Sequence, residues 1–133
     1  FKTNLGITCT LENQEWAVFQ DTRKEGDFEL SRGGWITDFL DPMGLLAIFQ
    51  TPNTYNDPNY SNPEYDELVS KANQTVGADH YEALYAAQDI LMTELPIIPV
   101  YHYVDYMLSS PQVKNFTRSQ LGAMDFSTAY IEK

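Results

Sequence analysis

Residues 31–42 read SRGGWITDFLDP and place a guanidinium at Arg32, an indole at Trp35 and carboxylates at Asp38 and Asp41 close together, with Gly33 and Gly34 between. Each type has a use at a ligand. An arginine fork can grip a carboxylate through two parallel hydrogen bonds. An aspartate can receive a cation, and the α-ammonium is a cation that every peptide carries whatever its side chains. An indole offers an apolar wall. Two glycines leave room for a second backbone to approach, and an extended peptide needs that access because its N–H and C=O groups must pair once buried. The same residues also admit a purely structural arrangement, with Arg32 paired to Asp38 or Asp41, Trp35 in the core and Gly33-Gly34 as a bulge. The physics of the residues weighs the two alike.

Other chemistry finds little support. His80 and His102 are the only histidines, and neither stands in a spacing that builds a nucleophile and base or a zinc pair. Both are expected to be solvated or satisfied structurally. The run Asp57-Pro58-Asn59-Tyr60-Ser61 has oxygens at alternate positions like a calcium loop. The glycine such a loop needs is Asn62, and its final glutamate is Leu68. Gly33-Gly34 lacks the spacing of a phosphate cradle. No metal and no cofactor is expected. Cys9 has no partner cysteine, which excludes an internal disulfide; a buried strand position is expected for it.

The elements that must position the cluster follow from periodicity and punctuation. Residues 7–11 alternate as a strand does. Asn13 can cap a helix over residues 14–24, with Gly26 after its end. Residues 27–35 predict a second strand, so that strand, helix and strand form a βαβ unit with Trp35 to Asp38 just past a strand's carboxyl end. Pro42 opens a short helix over 43–50. Residues 51–63 are loop by composition. Asn62-Pro63 opens a further helix with Tyr65, Leu68, Val69 and Ala72 on one face. Asp79 and Glu82 form a capping box for another, whose buried face is expected at Tyr81, Leu84, Tyr85, Leu91, Met92 and Leu95, and which ends at Leu95-Pro96. Residues 97–108 read as the strongest strand, although Pro99 places it at an edge or near its start. Beyond Pro111 only short pieces remain, at 112–116 and 126–131.

With 43% hydrophobic residues the chain can build a core. The formal charge of −11, from 8 basic and 19 acidic residues, excludes nucleic acid and anionic lipid as partners. No apolar run reaches membrane length. The opening residues Phe1-Lys2-Thr3-Asn4-Leu5-Gly6 read as the last turn of a helix and its glycine cap, so the chain is expected to be a piece of something longer.

Residues 11–42, LENQEWAVFQDTRKEGDFELSRGGWITDFLDP, resemble the oligopeptide-binding proteins of bacterial ABC importers. The run LPIIPVYHYV, residues 95–104, is similar to the strand that family places after its last large helix. The resemblance implies an α/β fold: part of the second lobe of a two-lobed, periplasmic-binding-protein-like (type II) clamshell, with a small mixed sheet flanked by helices. It implies that residues 1–104 belong to that lobe, and that residues 105–133 are a return segment belonging to the first lobe.

By the same resemblance Asp38 receives the peptide α-ammonium, Arg32 lies near the path of the ligand's carboxyl end, and Trp35 lines the ligand. Gly34, Ile36 and Thr37 lie on the backbone segment that pairs with the peptide, and Tyr103 is an aromatic near the cleft at the hinge. The implied function is non-enzymatic: capture of short peptides and delivery to an ABC transporter permease, outside the cytoplasm, either periplasmic or anchored as a lipoprotein to the outer face of the cell membrane. The implied partners are short peptides, the permease subunits and the remainder of the same binding protein. Alternatives are a relative that takes dipeptides, nickel complexes or signalling peptides, or a non-catalytic interaction module.

Overall fold

Local signals decide the helices. In the computed structural model, which describes residues 1–133, α1 is the single turn Lys2–Leu5, closed by Gly6 at φ 71°. α2 spans Trp16–Glu25 and ends on Gly26 at φ 72°, a left-handed conformation that costs glycine little. Its cap is Glu15, whose side chain accepts from the Ala17 N–H, and not Asn13. α2 belongs to the first of two units, Phe1–Gly33; everything after it, Gly34–Lys133, forms the second.

The second unit is organised by a helical hairpin. α3 (Met43–Leu46) continues into a 3-10 turn, Ala47–Phe49. α4 spans Pro63–Gln74 and is capped as expected by Asn62, whose Oδ1 accepts from the Glu64 and Tyr65 N–H groups. α5 spans Ala78–Glu94 and ends on Leu95 at φ 51° ahead of Pro96. No capping box forms at its start: Gly77 occupies the cap, and Asp79 lies inside the first turn, where a carboxylate suits the helix dipole.

Tyr65, Val69 and Ala72 of α4 meet Ala83, Leu84, Ala87 and Leu91 of α5, with Leu46 closing the cluster. Leu84 and Leu91 of the expected α5 face are therefore buried, but the other four residues of that face are not. Ala83 and Ala87 are buried, while Tyr81, Tyr85, Met92 and Leu95 are exposed. Two small residues let the helices approach closely, and the larger rings turn outward. Burying each Leu, Val or Tyr side chain here contributes roughly 1.5–3 kcal/mol. The Tyr65 hydroxyl, fully enclosed, donates to the Leu46 carbonyl at 2.6 Å and ties α4 to α3.

The loop before α4 is held by amides. Buried Asn56 donates to the Gln50 and Tyr60 carbonyls and accepts from the Tyr60 N–H. Asn53 donates to the Ala47 carbonyl and accepts from the Tyr55 N–H. At the loop's far side Tyr60 and Asn62 both donate to Glu94. Burial first, and the Glu94 carboxylate second, push the Tyr60 hydroxyl up to about 12.

The three expected strands do not form. Residues 7–11, 27–35 and 97–108 carry no ladder. Alternation marks a segment fit for a sheet, but a strand exists only where another strand supplies partners for its N–H and C=O groups. The expected βαβ unit is absent with them, and Cys9 is exposed, not buried. Leu108, at 99% exposure, shows how little of the last apolar run is covered. The strands that do form are two separate antiparallel pairs: β1 (Val113–Lys114) with β4 (Tyr130–Ile131), and β2 (Thr117–Arg118) with β3 (Met124–Asp125). Asp105 joins them, since Arg118 forms an ion pair with it.

Candidate functional site

Trp35 is set by two contacts. Its Nε1–H donates to the Gly44 carbonyl in α3 at 2.9 Å, and its ring meets Tyr55 at a centroid distance of 4.9 Å. With 36% of its surface exposed it is neither core nor free. Tyr55 comes from the amide-braced loop, so the two rings make a continuous aromatic surface on a stiff support.

Thr37 is fastened next. Its hydroxyl donates to the Phe39 carbonyl at 2.9 Å and packs directly over Gly44. A Cβ on Gly44 would collide with Thr37 Oγ1 and lie 3.3 Å from the Phe39 ring. Ile36, between these two anchored residues, is exposed. Asp38 is exposed as well.

Gly34 lies beneath Tyr103. The Tyr103 hydroxyl stands 2.8 Å from where a Cβ on Gly34 would be, and the Tyr101 and Tyr103 rings meet edge to face at 5.1 Å. The structure thus brings Gly34 together with Tyr103, and Trp35 and Thr37 together with Gly44. Arg32 belongs to the first unit, where it is exposed.

Asp41 and His80 form a link that sequence reasoning missed. Asp41 Oδ1 accepts from the Met43 N–H at 2.8 Å and so caps α3. Both carboxylate oxygens also face His80 Nε2, at 3.0 and 3.2 Å, while His80 Nδ1 lies 2.7 Å from the Ala72 carbonyl at the end of α4. The Ala72 carbonyl chiefly, and the Asp41 carboxylate after it, raise the imidazole above its ordinary value of 6.5, against the effect of burial. No local signal could have revealed a pairing across 39 residues of chain. No cluster of histidine, cysteine and carboxylate side chains could hold a metal ion.

Comparison with known proteins gives this surface a context. No family model matches the chain. It is 36% identical over 129 residues to the dipeptide-binding protein DppE of Bacillus subtilis, covering 96% of this chain and 24% of that protein. It is 36% identical over 118 residues to the periplasmic oligopeptide-binding protein OppA of Salmonella typhimurium, covering 88% of this chain and 22% of that protein. The chain is a homologue of the peptide-binding proteins of ABC importers.

The fold agrees. The substrate-binding domain of an oligopeptide ABC transporter from Bacillus anthracis superposes with a TM-score of 0.81 at 25% identity, over 99% of this chain and 27% of that one. The chain spans about a quarter of the length of the curated relatives it matches. Its mix of helices and small ladders is that of part of a lobe of such proteins. No helix is long and apolar enough to cross a membrane.

Proposed function

We propose that this chain forms part of the ligand-binding surface of an extracytoplasmic solute-binding protein that captures short peptides and passes them to an ABC permease without chemical turnover. Asp38 receives the peptide α-ammonium. Trp35 walls one side, and the backbone at Gly34, Ile36 and Thr37 pairs with the ligand. Arg32 serves the carboxyl end of the ligand, and Tyr103 stands at the hinge side. Residues 1–104 fall in the second lobe and residues 105–133 in the first. The self-contained pairing of β1 with β4 and of β2 with β3 supports that division.

The observation that carries this reading is the exposed Asp38 carboxylate three residues from a pinned tryptophan. A carboxylate held in that position can meet an ammonium, and backbone pairing then adds affinity that ignores side-chain identity. Lobe closure buries the pair, and removing one member of a buried pair costs about 3 kcal/mol or more.

The test is calorimetry of the complete binding protein with tri-alanine and with its N-acetylated form. Acetylation, or Asp38→Ala with the free peptide, should weaken binding by roughly 100-fold or more. Equal affinity for the two peptides would remove Asp38 from this role. A series from dipeptide to pentapeptide separates a dipeptide carrier from an oligopeptide carrier.

A further inference from the structure

His80 joins three parts of the second unit. Its Nδ1 meets the Ala72 carbonyl near the end of α4, and its Nε2 meets Asp41. Asp41 in turn caps α3 through the Met43 N–H, and its own carbonyl accepts from the Gly44 N–H at 3.1 Å. The Gly44 carbonyl is the acceptor that holds the Trp35 indole. A continuous path of hydrogen bonds and one short stretch of backbone therefore runs from the helical hairpin to the aromatic wall.

Both partners of the imidazole are acceptors. A neutral imidazole has one N–H and can satisfy only one of them; the imidazolium has two and satisfies both. We infer that His80 in its protonated form is a positioning residue for Trp35, holding the indole through Asp41 and the first turn of α3. When the ring loses its proton, the Nε2 lone pair faces the Asp41 carboxylate. The carboxylate then turns away, the cap at Met43 loosens, and the Gly44 carbonyl no longer fixes the indole in one orientation.

The surrounding charges leave this exchange to one pair. The ring is 15% exposed and Asp41 26%. α3 offers no titratable side chain. Lys71 of α4, and Asp79 and Glu82 beside His80 on α5, are exposed. Tyr81 meets the ring edge to face, with centroids 5.0 Å apart. Asp41 is the one charged group bearing on the imidazole. That Trp35 lines a peptide site rests on the reading proposed above; the coupling of His80 to Trp35 does not.

The test needs no peptide, so its failure is separate from failure of the binding reading. In the full chain carrying Trp16→Phe and His102→Gln, Trp35 is the only tryptophan and His80 the only histidine. The His80 ring resonances and the Trp35 emission maximum are followed together from about pH 5 to about pH 9, the range a histidine spans, with far-UV circular dichroism on the same samples. The expected result is a red shift of Trp35 emission as pH rises, with the same midpoint as the ring, above 6.5, and unchanged helix content. His80→Gln in that background should abolish the shift. Asp41→Asn, which keeps an oxygen to cap Met43, should lower the ring midpoint. Emission that stays flat while the ring titrates would overturn the inference. So would a shift accompanied by loss of helix at the same midpoint, since that reports unfolding instead of local positioning.

Discussion

The Tyr103 hydroxyl stands 2.8 Å from the point where a Cβ on Gly34 would be, so the phenol occupies space that only a glycine leaves open. The two residues are 69 positions apart, and the contact closes the extended run after α5 onto the start of the second unit. Gly34 is needed here for close approach and not for an unusual backbone angle.

Gly34→Ala therefore tests the contact and not the fold. The obstructing atom is the far end of a flexible side chain, which can swing aside. The thermal midpoint should move little, with a cost within about 0.5 kcal/mol. The Tyr103 ring resonances should shift, and, if the proposed peptide site is right, peptide affinity of the complete protein should fall. Unchanged Tyr103 resonances would show that the ring does not sit over Gly34.

Gly44 presents the opposite case. Its neighbours are Thr37 Oγ1 and the Phe39 ring, both on a segment already tied by hydrogen bonds. Alanine fits the helical backbone of α3 but has no space. Overpacking of this kind costs about 1–3 kcal/mol. Urea unfolding of Gly44→Ala should show that loss, and Thr37→Ala in the same chain should recover part of it.

Tyr65→Phe isolates the bond between α4 and α3. The ring stays, so the core keeps its volume, but the Leu46 carbonyl loses its 2.6 Å donor in an enclosed site. Leaving a buried acceptor unsatisfied costs about 1–3 kcal/mol. Chemical denaturation should show that loss with an unchanged denaturant slope, because the surface exposed on unfolding is the same.

What was legible in the sequence is what is local. Asn62-Pro63, Gly6, Gly26 and Leu95-Pro96 mark helix ends through the chemistry of a few adjacent residues, and each stands where expected. The strands at 7–11, 27–35 and 97–108 were not legible because alternation reports a segment's faces, while ladder formation depends on a partner elsewhere. On the buried face of α5, Leu84 and Leu91 stand where expected, but the larger rings do not, because close helix packing selects Ala83 and Ala87. In the candidate site, residue type and resemblance singled out Trp35 and Asp38 as candidates. The Tyr55 ring beside Trp35, the Gly44 carbonyl and the His80–Asp41 bridge were not legible, since each arises only when distant segments meet.

His80 also makes stability depend on pH, with a sign that follows from its surroundings. The folded ring titrates above its ordinary value of 6.5 because the Ala72 carbonyl and then Asp41 favour the proton. The folded state therefore holds that proton more tightly than the unfolded chain does. Its contribution is fully present below the unfolded value, declines as pH rises through the folded value, and is absent above it. Urea midpoints measured at about pH 5.5 and about pH 8.5 should accordingly be higher at the lower pH. His80→Gln should flatten that difference, because glutamine carries no titrating proton, while His102→Gln should leave it intact. A midpoint that rises with pH in the wild-type chain and falls in His80→Gln would mean that the ring is bound neutral, with Asp41 turned from it.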